Sequence, residues 1–244
     1  MQVDAFAVRL RPRTPLEAAD LGVRLCQTTA RSVYGCYWIA ALPIVALALA
    51  SFELAAWLPT LVIWWAKPWL DRTILFALSR AAFGQRTAAA DVWRAQRQVW
   101  WSQLVLTWTV QRLSLWRSIT QPVYQLEGLS IWNRRGRVRQ IRHRNRGSAL
   151  MTTHAFSLSE LALTLALISL VFWLAPPGQT DGLIDILSGE VSGFLLFSFP
   201  VAYAIAVLFL EPFYVGAGFA LYLNRRAELE AWDIEQEFRR AFSR

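Results

Sequence analysis

Apolar residues in this chain are gathered into long runs instead of being spread at the spacing of a soluble core. From Val33 to Phe52 there is no charged residue, about the ~20 residues needed to cross a ~30 Å hydrocarbon layer. Glu53 interrupts, and Leu54 to Leu70 is apolar again except for Lys67. A third run, Leu161 to Ala175, follows Ser157-Leu158-Ser159-Glu160 and is stopped by Pro176-Pro177-Gly178. Val191 to Leu210 is uncharged, Glu211-Pro212 intervenes, and Phe213 to Leu223 completes a fourth. The pattern predicts spans over about 33–52, 54–70, 158–175 and 194–223. At ~1.5 Å per residue the last run exceeds one untilted crossing. Either a short helix lies along the outer face first, or the span kinks near Pro212.

Between the runs the periodicity is that of amphipathic helices. Thr14-Pro15-Leu16-Glu17 has the form of a capping box with proline at the first helical position. Leu16, Ala19, Val23, Cys26, Ala30 and Val33 then form one helical stripe, predicting a helix that lies on the membrane and feeds the first span. Residues 71–84 alternate charged and apolar positions and end on Gly84, a C-cap residue type. Residues 91–116 are apolar but too short and too polar (Ser102, Gln103, Thr107, Thr109) for a span, so a surface-lying helix is expected there. Residues 118–148 read as the polar middle of the protein. Ser157 to Glu160 reads as another capping box, which makes Glu160 a helix-start carboxylate and not a catalyst. A charged terminal helix is expected over 225–243, with Ala227, Ala231, Ile234, Phe238, Ala241 and Phe242 on one face and Glu235–Arg239 as a helix pair.

Composition agrees with a membrane protein: 55% of the 244 residues are hydrophobic and 13 are tryptophan. Trp64, Trp65 and Trp69 at the far end of the second run suit an interfacial aromatic belt, with Lys67 snorkelling to the same layer. The net charge of +8 is carried by arginine, Lys67 being the sole lysine, a bias that suggests GC-rich coding and a bacterial source. The N-terminal segment, residues 71–155 and the C-terminal tail are basic, whereas the turn at Glu53 and residues 178–192 contain no Lys or Arg. By the positive-inside rule, four spans with both ends cytoplasmic satisfy every segment. The expected fold is therefore all-α: one polytopic helical domain over 1–244 in a bacterial inner membrane, with interfacial amphipathic helices. The polar first thirty residues do not resemble a cleavable signal, so the first apolar run is expected to remain as an anchor. Cys26 and Cys36 are expected to be free thiols in packed helices.

Candidate chemistry is sparse. Arg134, Arg135, Arg137, Arg139, Arg142, Arg144 and Arg146 occur without one acidic residue among them. Such a cluster enforces topology, grips anionic headgroups at ~1 kcal/mol per basic residue, or contacts acidic proteins. Nucleic acid is an unlikely partner, because aromatic residues for base stacking are few nearby. Glu211 sits at mid-membrane if the last span begins near Pro200, where it could relay protons or pair with a buried arginine. If the span begins near Val191 it lies at the cytoplasmic interface, the preferred placement, with a kink at Pro212. Lys67, Asp71 and Arg72 form a charged collar that anchors the second span or contacts a partner. No GxxxxGK[ST] loop, GxSxG elbow or HExxH pattern occurs, and His143 and His154 have no metal-ligand spacing with the cysteines. No catalytic residue, cofactor or metal is expected.

Three strings, WWAKPWLDRTILFALSRAAFG, RSITQPVYQLEG and EPFYVGAGFALYLNRRAELEAWDIEQEFRR, resemble an uncharacterised family of bacterial inner-membrane proteins. The last is also similar to the closing segment of the membrane domain attached to some glycerophosphoryl diester phosphodiesterases. The resemblance implies a helical inner-membrane protein encoded near MoxR-type ATPases and transglutaminase-like membrane proteins, hence a complex. It does not imply phosphodiesterase activity, which belongs to a separate barrel domain. Taken together, the sequence predicts a non-enzymatic membrane subunit that assembles partner proteins at the cytoplasmic face. The alternative is a small transporter or lipid-handling protein using Glu211 and nearby basic residues.

Overall fold

A computed structural model of the chain describes residues 13–102, 104–128, 131–174 and 193–230. Among these residues the regular structure is helical throughout, with no strand. The expected helix beyond residue 230, the 178–192 segment and the first twelve residues lie outside the described residues.

Helix α1 (Pro15–Thr28) begins as its sequence requires. Thr14 Oγ1 accepts from the Glu17 N–H, and Glu17 returns a carboxylate oxygen to the Thr14 N–H. Its buried face is Ala18, Gly22 and Cys26, a stripe of small residues; of the stripe expected to lie on the membrane, Leu16 is 82% exposed but Cys26 and Val33 are buried in the protein. The reason is close helix packing. Gly22 lies against Gly216 so tightly that a Cβ on Gly22 would fall 2.1 Å from the Gly216 carbonyl oxygen. Between apolar helices, backbone approach of this kind replaces side-chain burial as the source of contact. Asn224 fixes the start of α1 by accepting from the Arg13 N–H and donating to the Arg13 carbonyl.

Helix α2 (Ala30–Ala50) runs directly on and ends in a 3₁₀ turn over Ser51–Glu53. Helix α3 (Leu58–Ala81) corrects the expected boundaries: the apolar run to Leu70 and the 71–84 segment are one helix, closed by Gly84 at φ +71°. Its second half is core, with Leu70, Ile74, Leu75 and Leu78 all buried. Trp64 and Trp65 are partly exposed, but Trp69 turns inward and stacks on Trp100 at 5.6 Å. Lys67, Asp71 and Arg72 are likewise buried, so they neither snorkel nor form an exposed collar.

Residues 91–116 are not the single surface helix expected. A short α4 (Ala89–Arg94) gives way to two π-helical segments, Arg97–Trp101 and Thr107–Gln111. Arg72 explains why this irregular backbone persists. Its guanidinium donates to the carbonyls of Val99 and Gln98 and to the hydroxyls of Ser102 and Thr107, satisfying groups that a regular ladder would otherwise have paired.

Helix α5 (Arg117–Leu126) is buried along most of its length, so the polar middle expected over 118–148 begins inside the protein. Helix α6 (Ile131–Arg142) carries five of the seven arginines, and a turn with Arg144 at φ 69° leads to α7 (Arg146–Leu174). The third apolar helix therefore starts at Arg146, well before Ser157, and the Ser157–Glu160 box is helix interior. Hydroxyls of Thr152, Thr153, Ser159 and Thr164 donate to carbonyls four residues back, which lets them sit inside a helix without competing with it. Helix α8 (Gly193–Glu230) runs through Pro200 and Pro212. It forms the spine on which α1, α2, α3, α5 and α7 pack. The helix containing residues 30–53, α7 and α8 are each long and apolar enough to cross a membrane.

Candidate functional site

Helical periodicity alone brings charged residues from distant parts of the chain onto facing surfaces. Lys67 and Asp71 are one turn apart on α3; Arg117, Gln121 and Gln125 follow at the same spacing on α5. Gln121 donates to the Pro68 carbonyl at 3.0 Å and Gln125 to the Arg72 carbonyl at 2.8 Å. These bonds hold the two faces in register.

The charges meet around Glu211 on α8. Lys67 Nζ donates to Glu160 Oε2 at 2.6 Å and lies 2.8 Å from Glu211 Oε2. Arg117 Nη2 donates to Glu211 Oε1 at 2.9 Å. Arg117 Nε is 3.0 Å from Asp71 Oδ2 but out of line for a hydrogen bond, so that contact is electrostatic. The Asp71 and Glu211 side chains are 0% and 2% exposed. Four helices thus place two cations and three carboxylates in one buried network. For Arg117, burial pulls the guanidinium pKa down, but the surrounding carboxylates, Asp71 foremost, outweigh it and raise it above the usual value.

Beside the network is a cavity of about 420 Å³. Lys67, Arg112, Arg117, Glu160 and Glu211 line its charged side. Its rim is apolar: Leu113, Leu161 and Phe199 border it and are exposed. Arg112 stands apart from the other cations. It lies over the Trp64 ring, Cζ 3.2 Å from the centroid, and forms no ion pair among the described residues. Its Nε is buried without a hydrogen-bond partner. Burial, and then the nearby Arg117 charge, push its pKa down to about 10.

The arginine cluster divides in two. Arg137 bridges Glu127 and Glu230, while Arg142 and Arg134 lie over the rings of Trp116 and Tyr124. Arg135, Arg139, Arg144 and Arg146 are exposed. Glu211, Lys67 and Asp71 come together; Arg72 serves the π-helical segments instead, and Pro212 lies in the turn beneath Glu211. Glu211 does pair with a buried arginine, one of the two possibilities read from the sequence. Arg117, Arg112 and the role of Glu160 were missed. No local signal marks Arg117, whose partner is 94 residues away; the short-range capping pattern at Glu160 pointed elsewhere.

Among the described residues, fold and site together define a helical protein with three membrane-length apolar helices and a buried ion network flanking a cavity. Comparison with known protein families, with curated proteins and with solved structures found no match.

Proposed function

We propose that the protein is a lipid-handling membrane protein that takes the polar head of an amphiphile into the cavity between α3, α7 and α8. In this reading α3 is a fourth span and both ends are cytoplasmic, in a bacterial inner membrane, because the arginine-rich segments then share one side. Counted from the opposite ends of their helices, Lys67, Glu160 and Glu211 lie roughly 14, 21 and 27 Å down at ~1.5 Å per residue. In this reading they lie within a ~30 Å hydrocarbon layer, Lys67 near its middle and Glu160 and Glu211 towards its inner half. Ionisable side chains at such depth are costly and are kept where they line a pathway or bind a ligand.

The observation that carries the reading is the combination of charged floor and exposed apolar rim. A soluble ion needs no apolar rim, and a purely structural ion network needs no cavity. The test is native mass spectrometry of the protein extracted in mild detergent. The wild type is expected to retain one amphiphile. Ser157→Trp, which places bulk at an exposed position on the cavity wall, is expected to lose it while keeping wild-type helicity. Equal retention by both proteins refutes the reading. Topology is checked separately: alkaline phosphatase fused after residue 244 is expected to be inactive, and activity there refutes the cytoplasmic C-terminus.

A scaffold role has its own support in α7, which leaves Met151, Leu158, Leu165 and Trp173 exposed. Those side chains, with the four exposed arginines, would form the contact surface for a membrane partner. Stoichiometric co-purification of one partner, lost on Leu158→Ser/Leu165→Ser substitution, is the outcome this role requires.

A further inference from the structure

We infer that the cavity selects an amphiphile whose head carries a single negative charge of the phosphodiester type, and that Arg112 is the residue that binds it. The inference rests on the lipid-handling reading and adds the ligand class. Side chains facing the cavity include three cations, Lys67, Arg112 and Arg117, and two carboxylates, Glu160 and Glu211; Asp71 is not among its lining residues. With Asp71, which lies 3.0 Å from Arg117, the network already sets three carboxylates against Lys67 and Arg117, so the cation that one anionic group would pair is Arg112. Within that set the cations are not equivalent. Lys67 and Arg117 are each engaged by two carboxylates at 2.6–3.0 Å, whereas Arg112 has an aromatic face on one side and no carboxylate among the described residues.

A half-buried guanidinium held over an indole, with its Nε unpaired, has N–H donors left for an anion. A guanidinium edge presents a fork of N–H donors matched to two oxygens of a phosphate or carboxylate. Stacking on Trp64 fixes the orientation, so little side-chain freedom is lost when an anion arrives. Leu113, the next residue in the chain, is on the rim and 77% exposed, so a head bound at Arg112 has its chains directed over an apolar edge. Lys67–Glu160 spans the gap between α3 and α7 next to this point. The ligand is then bordered by an ion pair on its polar side and by leucine and phenylalanine on its apolar side.

The test uses full-length protein in nanodiscs containing equal amounts of phosphatidylglycerol and a neutral galactosyl diacylglycerol with matched chains. Ejected complexes are read by native mass spectrometry. Wild type is expected to carry phosphatidylglycerol at least about tenfold over the galactolipid, equivalent to about 1.4 kcal/mol. Arg112→Gln is expected to keep a bound amphiphile with no preference, and Arg112→Lys to keep part of it, since charge remains but the fork is lost. An unchanged preference in Arg112→Gln overturns the assignment of Arg112 while leaving the lipid-handling reading intact. Wild type carrying no amphiphile overturns that reading itself. Excess inorganic phosphate is expected to leave the complex unaltered; displacement by phosphate alone overturns a lipid as the source of the anion.

Discussion

Replacing Lys67 with methionine tests whether the charges around Glu211 act as one network. Methionine keeps the length of the side chain and its apolar contacts but removes the positive charge. Lys67 is the cation shared by Glu160 and Glu211, at 2.6 and 2.8 Å. Without it, three carboxylates face Arg117 alone. Deleting one partner of a buried ion pair costs ~3–5 kcal/mol, and Lys67→Met is expected to fall in that range. Glu211→Gln should be milder. It leaves Lys67 with Glu160 and Arg117 with Asp71, two cations against two carboxylates, and weakens charge-assisted hydrogen bonds worth ~1.5–3 kcal/mol each. The double variant is the informative one, because each substitution removes part of what makes the other costly. Its destabilisation is expected to fall short of the sum by at least ~1 kcal/mol. Reversible unfolding in mixed dodecyl sulfate and mild-detergent micelles, followed by circular dichroism, measures all three. Additive costs, or a Lys67→Met protein as stable as wild type, refute a shared buried network.

Other outcomes follow from the packing. Gly22→Ala is expected to destabilise by ~1–3 kcal/mol, the range for overpacking, because its new methyl meets the Gly216 backbone. Gly35→Ala, with nothing within 4 Å of the added carbon, is expected to be neutral or to gain up to ~1 kcal/mol of helix propensity; the same micelle assay compares the two. Arg72→Lys keeps the charge but not the fork, and hydrogen exchange should quicken over 97–111 before anywhere in α3. Uniform quickening across the chain contradicts the proposed role of the guanidinium. Burial pushes the Cys26 thiol up to about 12, so at pH 8 it is held protonated as well as covered. Maleimide is expected to spare it in the folded protein and to label it after denaturation, whereas labelling in the folded state at pH 8 contradicts the α1–α8 contact.

Features governed by neighbours in sequence were legible in advance. The Thr14–Glu17 cap, the Gly84 terminus and the apolar runs of α2, α7 and α8 all stand where periodicity and residue type put them. What failed shared one cause: a local pattern with two physical solutions. The α1 stripe expected to face the membrane straddles two surfaces: Leu16 stays exposed, whereas Cys26 and Val33 are buried by helix packing. Ser157–Glu160 fits a helix start and a helix interior equally well, and the helical residues before it decide. Lys67 and Asp71 fit an interfacial collar until Arg117 arrives from α5 to share their burial. Of the site, the sequence pointed to Glu211 and Lys67 separately. Their meeting depends on contacts between residues more than ninety positions apart, for which no spacing rule exists.

Gly216 and Gly218 on α8 have a mechanical consequence. Gly216 is clamped by α1 and Gly218 by Ser118 of α5, where an added Cβ would lie 2.4 Å from the serine Cβ. Residues 214–222 are buried without a break, whereas Phe194, Leu196, Phe197 and Phe199 at the other end are exposed. Pro212 stands at the join. It gives no N–H to the Leu208 carbonyl, and Tyr34 donates its hydroxyl to the adjacent Phe209 carbonyl at 2.7 Å. The end after Pro212 is thus set by backbone contact at glycine, and the stretch before it by Ala204 and Val207 packed on Val45, Ala48 and Ile63. Glu211 stands where the two kinds of anchorage meet, so its position is fixed from both sides along the helix.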